Sequence, residues 1–514
     1  MKRTHIPLFA ALLAALTTPT VVSAASPAPQ PFTQCPTPST GYGRMFPSAA
    51  SASYTKTEID ALAAAMMSPA EASPTPEGEP DAEDNLTLTA GYTYFGQFID
   101  HDLTLDDRGN DLTTPTPPSS LVNGRTPQLD LDSLYGSGPT LSPTLYQADK
   151  VHLLEGEPLT GSPDAAARDL PRNAKGSAII GDPRNDENRI VAGIHSLFIR
   201  FHNRTVDVVR REQPRLDNNA VFSEARRRVV QQYQQLVLFD YLPRIVDRQT
   251  YNDVLSVRGG RLAPQLRFYS SCQQMPVEFS VSAYRFGHSQ VRALYRINDS
   301  VDRLPVFSGQ FGIPGTDLVG FSPSPSNFAI DWAYFFGRGP ADTKAQASYK
   351  IDASLTHSLS LLPLPVSSEG PADLAQRNLL RAVQIGLPSG QDVARAIGVR
   401  PLADSQILVG KATGDVADAK SITEIAPSLA GRSPLWTYVL AEAVNGSYRV
   451  VDGKILGPQR APFRLGPVGS RIVAETFVGL LASDPTSILG TNQRLARVPA
   501  STMRQFTDIV AGRR

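Results

Sequence analysis

Hydrophobic positions recur at helical spacing through most of this chain. Between Tyr92 and Asp107 (YTYFGQFIDHDLTLDD), the apolar residues Phe95, Phe98, Ile99 and Leu103 predict a buried helix. In such a helix Gln97 and His101 are one turn apart and share a face. Asp100 borders that face, and Asp102 points about 100° round from His101. Further on, Ile190, Val191, Ile194, Leu197, Phe198 and Phe201 mark the buried side of a long helix that starts near Asp182-Pro183 and runs to about Arg211. A short helix is predicted from Lys56 to Met67. Residues 214–270 read as helical, and 433–444 and 469–481 as apolar core helices, the last followed by a Pro-interrupted tail. Pro-rich stretches at 25–53, 68–84 and 108–120 read as irregular. The pattern as a whole predicts a mainly α chain with long irregular loops.

The first helix places an amide, two carboxylates and an imidazole among apolar neighbours, and buried polar side chains are costly unless something pairs with them. Those four residues alone fit a structural histidine as well as a chemical one. Composition narrows the class. Charged residues make up 19% and hydrophobic residues 41%, as in soluble globular proteins, and 514 residues can bury a large core. Basic and acidic residues balance at 49 each, so charge does not point to nucleic acid or an anionic membrane as partner. Lys2 and Arg3, the apolar run from Ile6 to Leu16, and Val22-Ser23-Ala24 read as a secretion signal over residues 1–24, which implies a secreted or periplasmic protein. That run is too short to span a membrane, and no later run is long enough. Cys35 and Cys272 leave a disulfide open in an oxidising compartment, and neither lies in a zinc pattern.

Four further segments carry candidate chemistry. In Thr126-Pro-Gln-Leu-Asp130-Leu-Asp132, oxygen-bearing side chains occupy alternate positions, and an extended loop would turn them to one side. Such oxygens suit a hard cation such as Ca²⁺, although a solvated Asp-rich turn has the same composition. In Gly181-Asp-Pro-Arg184-Asn-Asp-Glu187, Arg184 and Glu187 are one turn apart, which by itself predicts only an exposed ion pair. His195 and His202 read as structural. The last two segments are Ala283-Tyr-Arg285-Phe-Gly-His288 and Arg377-Asn378-Leu-Leu-Arg381.

Taken in order, these five segments resemble the motifs of the animal haem peroxidases, the family of myeloperoxidase, lactoperoxidase and peroxidasin, between about residues 90 and 395. The resemblance implies a single large helical haem peroxidase domain with very little β structure over 85–514, wrapped by the Pro-rich segment 25–84. It implies haem b, with His101 and Arg184 as the distal pair and Gln97 holding water or a halide beside them. His288 would bind the iron, Arg285 would pair with a propionate, and the Asn378 amide oxygen would accept a hydrogen bond from His288. Asp100 and Glu187 would form ester links to the haem. Asn188 stands where myeloperoxidase has a Met, so no sulfonium link is expected. A Ca²⁺ site would take Asp102, Thr126, the Gln128 carbonyl, Asp130, and Asp132 where the family often has Ser.

The implied reaction is reduction of H₂O₂ with oxidation of a phenolic or aromatic donor, or of a halide or thiocyanate, by a monomer. One departure is Val383-Gln-Ile-Gly386, where the family has Arg-Asp-His-Gly. Two alternatives stay open. One is a fatty-acid dioxygenase, whose radical-forming Tyr stands three residues before the proximal His; here that position is Arg285, with Tyr284 beside it and Tyr334 further on. The other is a catalytically weak haem-binding adhesion protein.

Overall fold

The computed structural model describes residues 41–70, 82–106, 111–112, 114–258, 261–270, 275–309, 315–337, 342, 344–368, 370–415, 417–490 and 498–513. The predicted signal segment, Cys35 and Cys272 lie outside the described residues.

Helices carry the core, as the apolar periodicity predicts. Lys56–Met66 opens with a capping box: the Thr55 hydroxyl accepts from the Glu58 N–H, and the Glu58 carboxylate accepts from the Thr55 N–H. Its buried residues Ile59, Leu62, Ala63 and Met66 pack towards the Leu374–Ile385 helix. The helix Gly91–Leu103 is buried all round, with only Gln97 and Asp100 partly open. Phe98 stacks on Phe198 of the Arg189–Glu212 helix, with centroids 5.2 Å apart, and Phe198 lies 4.7 Å from Phe506. Leu435–Ser447 and Pro467–Ser483 fill the other side of the core, both buried almost throughout. The described residues between 41 and 70 contribute Tyr42, Met45, Phe46, Ile59 and Leu62 to the same core. The Met45 and Phe46 N–H groups donate to the buried Glu278 carboxylate, and Tyr42–Gly43 pairs in parallel with Met275–Pro276.

Three local expectations differ from the structure. The long helix predicted from Asp182-Pro183 is broken. Pro183–Asp186 forms a 3₁₀ turn, and Asn188, extended at φ −134° and ψ 138°, caps a new helix at Ile190 through its side chain. Residues 214–270 are not helical throughout. The helix Arg248–Val254 gives way to an antiparallel strand pair, Leu255–Arg258 with Arg261–Pro264, and the sequence between them, Gly259-Gly260, is a turn signal that helical periodicity does not take into account. The tail ends in a further helix, Met503–Val510, that packs Phe506 against Phe198 and Phe201.

Among the described residues, β structure amounts to six two-stranded ladders and a number of isolated bridges. Between Asn218–Leu236 and Leu242–Ile245 the backbone widens into a π turn, Val237–Tyr241. Pro243 supplies no N–H and its ring would crowd the Phe239 carbonyl in a regular helix, so the wider turn accommodates it. The turn also places Tyr241 on the wall of a cavity of about 410 Å³.

Phe198 joins the Gly91–Leu103 helix, the Arg189–Glu212 helix and the C-terminal helix. Phe198→Ala should therefore cost about 3–5 kcal/mol, seen as a lower urea midpoint with an unchanged slope.

Candidate active site: two histidines on one cavity

A cavity of about 410 Å³ is lined by residues of the Gly91–Leu103 helix, the Ala283–Gln290 segment and the Leu374–Ile385 helix. Its walls include His101, Arg184, Glu187, Arg285, His288 and Asn378. Gln97 and Asp100 line it as well, so the polar face read from helical spacing does point one way. The Gly91–Leu103 helix comes close to the π turn at Gly96. A Cβ there would lie 2.4 Å from the Tyr241 hydroxyl, so only glycine fits without moving that ring. Tyr284, stacked on Phe279, has its hydroxyl 3.1 Å from both the Gly96 carbonyl and the Tyr241 hydroxyl.

His101 is held from behind. Its Nδ1 lies 2.9 Å from Asn185 Oδ1, and Asn185 Nδ2 lies 3.0 Å from His195 Nδ1. Burial, reinforced by the Arg184 charge, pushes the His101 imidazole down to about 3, so it is neutral in the folded protein. The exposed Arg184–Glu187 pair does not form. Arg184 instead donates through Nε and Nη2 to Asp182, at 3.1 and 2.7 Å. Nη2 also donates to the carbonyls of His101 and Thr104 at the end of the helix. The guanidinium is thereby fixed at the cavity wall. Glu187 is left facing the cavity, and burial raises it to about 7. Asp100 is also raised by burial, against the pull of Arg184 and Arg285.

His288 lies in the 3₁₀ segment Ala283–Gln290, and Asn378 on the Leu374–Ile385 helix, which Asp373 caps and Gly386 ends in a left-handed turn at φ +67°. The expected contact forms, with its polarity reversed. Asn378 Nδ2, not Oδ1, lies 2.7 Å from His288 Nδ1, because Arg285 Nη1 donates to Asn378 Oδ1 at 2.6 Å. A guanidinium has no acceptor, so the amide oxygen must face Arg285 and the amide N–H must face the histidine. Arg285 Nε also donates to the Ser280 carbonyl. Burial, with the Arg285 charge, pushes His288 down to about 3. Arg381, one turn after Asn378, pairs with Asp106 at 3.0 Å and donates to Gln384 at 2.8 Å. Gln384 donates in turn to the Asp111 carbonyl, so the departing Val383–Gly386 run still ties this helix to the loop after His101.

Asp102 leaves the cavity and joins a second cluster. Carboxylate oxygens of Asp102, Asp130 and Asp132 lie within 4.8 Å of one another. The oxygens converge through a turn and not through an extended loop. Leu131 adopts a left-handed conformation at φ +61°, and a short helix starts at Asp132. The Thr126 hydroxyl donates to Asp130, and the Thr126 N–H to Asp132. Gln128 sits in the same loop, its N–H on the Thr126 carbonyl. Burial first, then repulsion from Asp132, raises Asp130 to about 6, and Asp102 is raised for the same reasons. Asp132 Oδ1 is buried without a hydrogen bond, its ion-pair partner Arg125 Nη1 standing 3.6 Å away. Arg125 also pairs with Asp182 at 2.9 Å, which links this cluster to Arg184.

His195 and His202 are structural in position. His202 sits between the Tyr135 hydroxyl and the Val151 carbonyl, away from the cavity. Asn185, Tyr241 and Arg381 belong to the site or its support although the sequence alone assigns them no role. Asn185 directly follows Arg184, but no periodicity distinguishes it from a solvated turn residue.

The sequence profile of the animal haem peroxidases matches residues 108–422, more than half of the chain. The chain belongs to the animal haem peroxidase family. Arg184, Glu187, His288 and Asn378 fall inside the matched span, whereas Gln97, Asp100, His101 and Asp102 precede it. Human thyroid peroxidase is 27% identical over 303 residues, covering 53% of this chain and 30% of that protein. Peroxinectin A of Dictyostelium discoideum is 26% identical over 228 residues, covering 43% and 38%. The match thus spans about a third of the length of these curated relatives. Among solved structures, peroxidase A of Dictyostelium discoideum superposes with a TM-score of 0.59 at 16% identity, covering 92% of this chain and 94% of that one. A fatty acid alpha-dioxygenase of Arabidopsis thaliana gives 0.55 at 15%, covering 90% and 76%. These likenesses show the fold, the mainly α peroxidase architecture.

The buried histidines give a test by pH. His101, His195 and His288 stay neutral in the fold down to about 3, against 6.5 for an exposed imidazole. Between those values the unfolded chain binds more protons, so stability falls as pH drops through 6.5. His195→Gln removes one such proton. The slope of unfolding free energy between about pH 5 and 6 should then shrink by about 1.4 kcal/mol per pH unit, measured by urea unfolding.

Proposed function

We propose that this protein is a haem peroxidase that reduces H₂O₂ and oxidises a small donor, a phenol or other aromatic, a halide or thiocyanate. The observation that carries this reading is that two neutral histidines, His101 and His288, face one cavity with a fixed cation, Arg184, on its wall. The residues fit the cofactor their family implies. Two carboxyls, Asp100 and Glu187, face the cavity with raised proton affinity, and two arginines, Arg285 and Arg381, line it.

Haem, when bound, supplies the redox chemistry. His288 would hold the iron through Nε2. Arg285 would hold a propionate, and moving to it would free Asn378 Oδ1 to accept from His288 Nδ1–H. Asp100 and Glu187 are the groups for ester links; burial raises the proton affinity of both. Asn188 leaves no sulfonium partner beside Glu187. His101 Nε2 takes the proton from one peroxide oxygen and returns it to the departing oxygen, so that water leaves and not hydroxide. Arg184 stabilises the negative charge that develops as the O–O bond breaks. Gln97, on the same face, holds water or a halide in place. The 1–24 signal would export the protein to the periplasm or the outside.

Asp102, Asp130, Asp132, Thr126 and the Gln128 carbonyl are the ligand set for Ca²⁺, and the buried, unbonded Asp132 Oδ1 fits a cation in that position. The ion would tie the 126–132 loop to the helix carrying His101.

His101→Ala should lower peroxide turnover on a phenolic donor such as guaiacol by about 10²–10⁴-fold. Turnover equal to the parent would instead favour a haem-binding adhesion protein. Oxygen uptake with palmitate in the absence of peroxide would favour the dioxygenase reading, for which the fold also has precedent.

The Ca²⁺ proposal has a pH signature. Carboxyls raised above 3.8 contribute fully to stability below that value and lose the contribution as pH rises through their folded values, about 6 for Asp130. Ca²⁺ relieves that repulsion. The difference in Tm between Ca²⁺ and EGTA should therefore grow from about pH 4 to pH 7, and Asp130→Asn should shrink it. A difference independent of pH would remove these carboxylates from the site.

A further inference from the structure

His101 can act as a base towards the cavity only if its inner nitrogen carries the proton and its outer nitrogen the lone pair. Asn185 is placed to decide this. It is fully buried in the 3₁₀ turn between Asp182 and the Arg189–Glu212 helix, its N–H bonded to the Asp182 carbonyl. The amide spans two imidazoles, with Oδ1 2.9 Å from His101 Nδ1 and Nδ2 3.0 Å from His195 Nδ1. His195 is itself buried, its ring edge-on to Phe98 at 6.1 Å.

An amide can meet two imidazoles in either of two orientations, each fixing a different pair of tautomers. The Arg184 guanidinium chooses between them. Held by Asp182, it lines the same cavity as the outer edge of the His101 ring. Its charge favours a lone pair on that edge and drives the proton to Nδ1, where only the amide oxygen can receive it. Asn185 Nδ2 then donates to His195 Nδ1, leaving the His195 proton on Nε2.

We infer that Asn185 is the positioning residue of His101. Its carbonyl oxygen clamps the Nδ1–H tautomer, and His195 anchors the other end of the amide. An amide neither accepts nor releases a proton in this exchange. A proton that His101 takes from the cavity therefore has no exit through Asn185, and it returns to the cavity. In the peroxidase reading on which this use rests, the same proton comes back to the departing oxygen.

The test is made on the haem-free protein, so it does not depend on that reading. With ¹⁵N-labelled histidine, His101 (assigned by its loss in His101→Gln) should show a protonated Nδ1 and an unprotonated Nε2 at neutral pH. Asn185→Leu, similar in volume and without an acceptor, should move His101 towards the Nε2–H form. Asn185→Asp keeps an acceptor and should retain Nδ1–H. A parent protein with the Nε2–H form, or a folded Asn185→Leu with unchanged ring signals, would overturn the inference. If Asn185→Leu does not fold, the parent and Asn185→Asp spectra decide it. In haem-loaded protein Asn185→Leu should slow the reaction with peroxide by about 10²-fold, with Asn185→Asp slowed less. A clamped tautomer without peroxide chemistry would refute the peroxidase reading and leave the clamp standing.

Discussion

The helix Gly91–Leu103 is buried on every side, yet it carries Gln97, Asp100, His101 and Asp102. Polar and ionisable groups in that position must be satisfied by other elements or by something in the cavity, and most of the surrounding structure does this. Asn185 and His195 satisfy the back of His101; Leu131, Ser133 and the 126–132 loop satisfy Asp102. Thr104 bonds Asp100 on one oxygen. What protein groups leave facing the cavity is the outer edge of His101, the Asp100 and Glu187 carboxyls and the Gln97 amide. That is the set a bound cofactor and its substrate would meet.

Charge links the two polar clusters. Asp132 pairs with Arg125, Arg125 with Asp182, and Asp182 with Arg184 at the cavity wall. A cation among Asp102, Asp130 and Asp132 would thus act on the same chain of side chains that fixes the Arg184 guanidinium. The two histidines are supported differently. Each has its Nδ1 against an Asn amide, but the far end of Asn185 meets an imidazole and the far end of Asn378 meets a guanidinium. An imidazole can donate or accept, whereas a guanidinium only donates. The His288 amide is therefore oriented by Arg285 and the His101 amide by the field of Arg184. Loading the cavity would bear directly on the first, since Arg285 lines it.

Much of this was legible in the sequence, for identifiable reasons. Helical spacing put Gln97, Asp100 and His101 on one face and sent Asp102 elsewhere, because a buried helix leaves little freedom in direction. The apolar periodicity of 190–201 located the partner helix, but not its break at Asn188, where a capping side chain outweighs periodicity. Short apolar runs do not separate strand from helix, which hides the strand pair Leu255–Arg258 with Arg261–Pro264. The π turn at 237–241 answers to Pro243, a local packing need that apolar periodicity does not register. Convergence of Asp130 and Asp132 was anticipated, though it comes from a left-handed Leu131 that no propensity would suggest. Asn185 and the reversed Asn378 amide depend on which long side chain reaches which partner across the fold, and that is a property of packing, not of spacing.

The central claim is that His288 and His101 flank a haem held in one cavity. The most direct measurement is titration of the haem-free protein with ferric haem, followed by absorption and EPR, for the parent and for His288→Ala. The account predicts one haem per chain with a histidine-ligated high-spin ferric spectrum. In His288→Ala that spectrum is lost and haem binds more loosely, with exogenous imidazole restoring the parent signal. A His288→Ala protein that binds haem with an unchanged spectrum would contradict the account at its base.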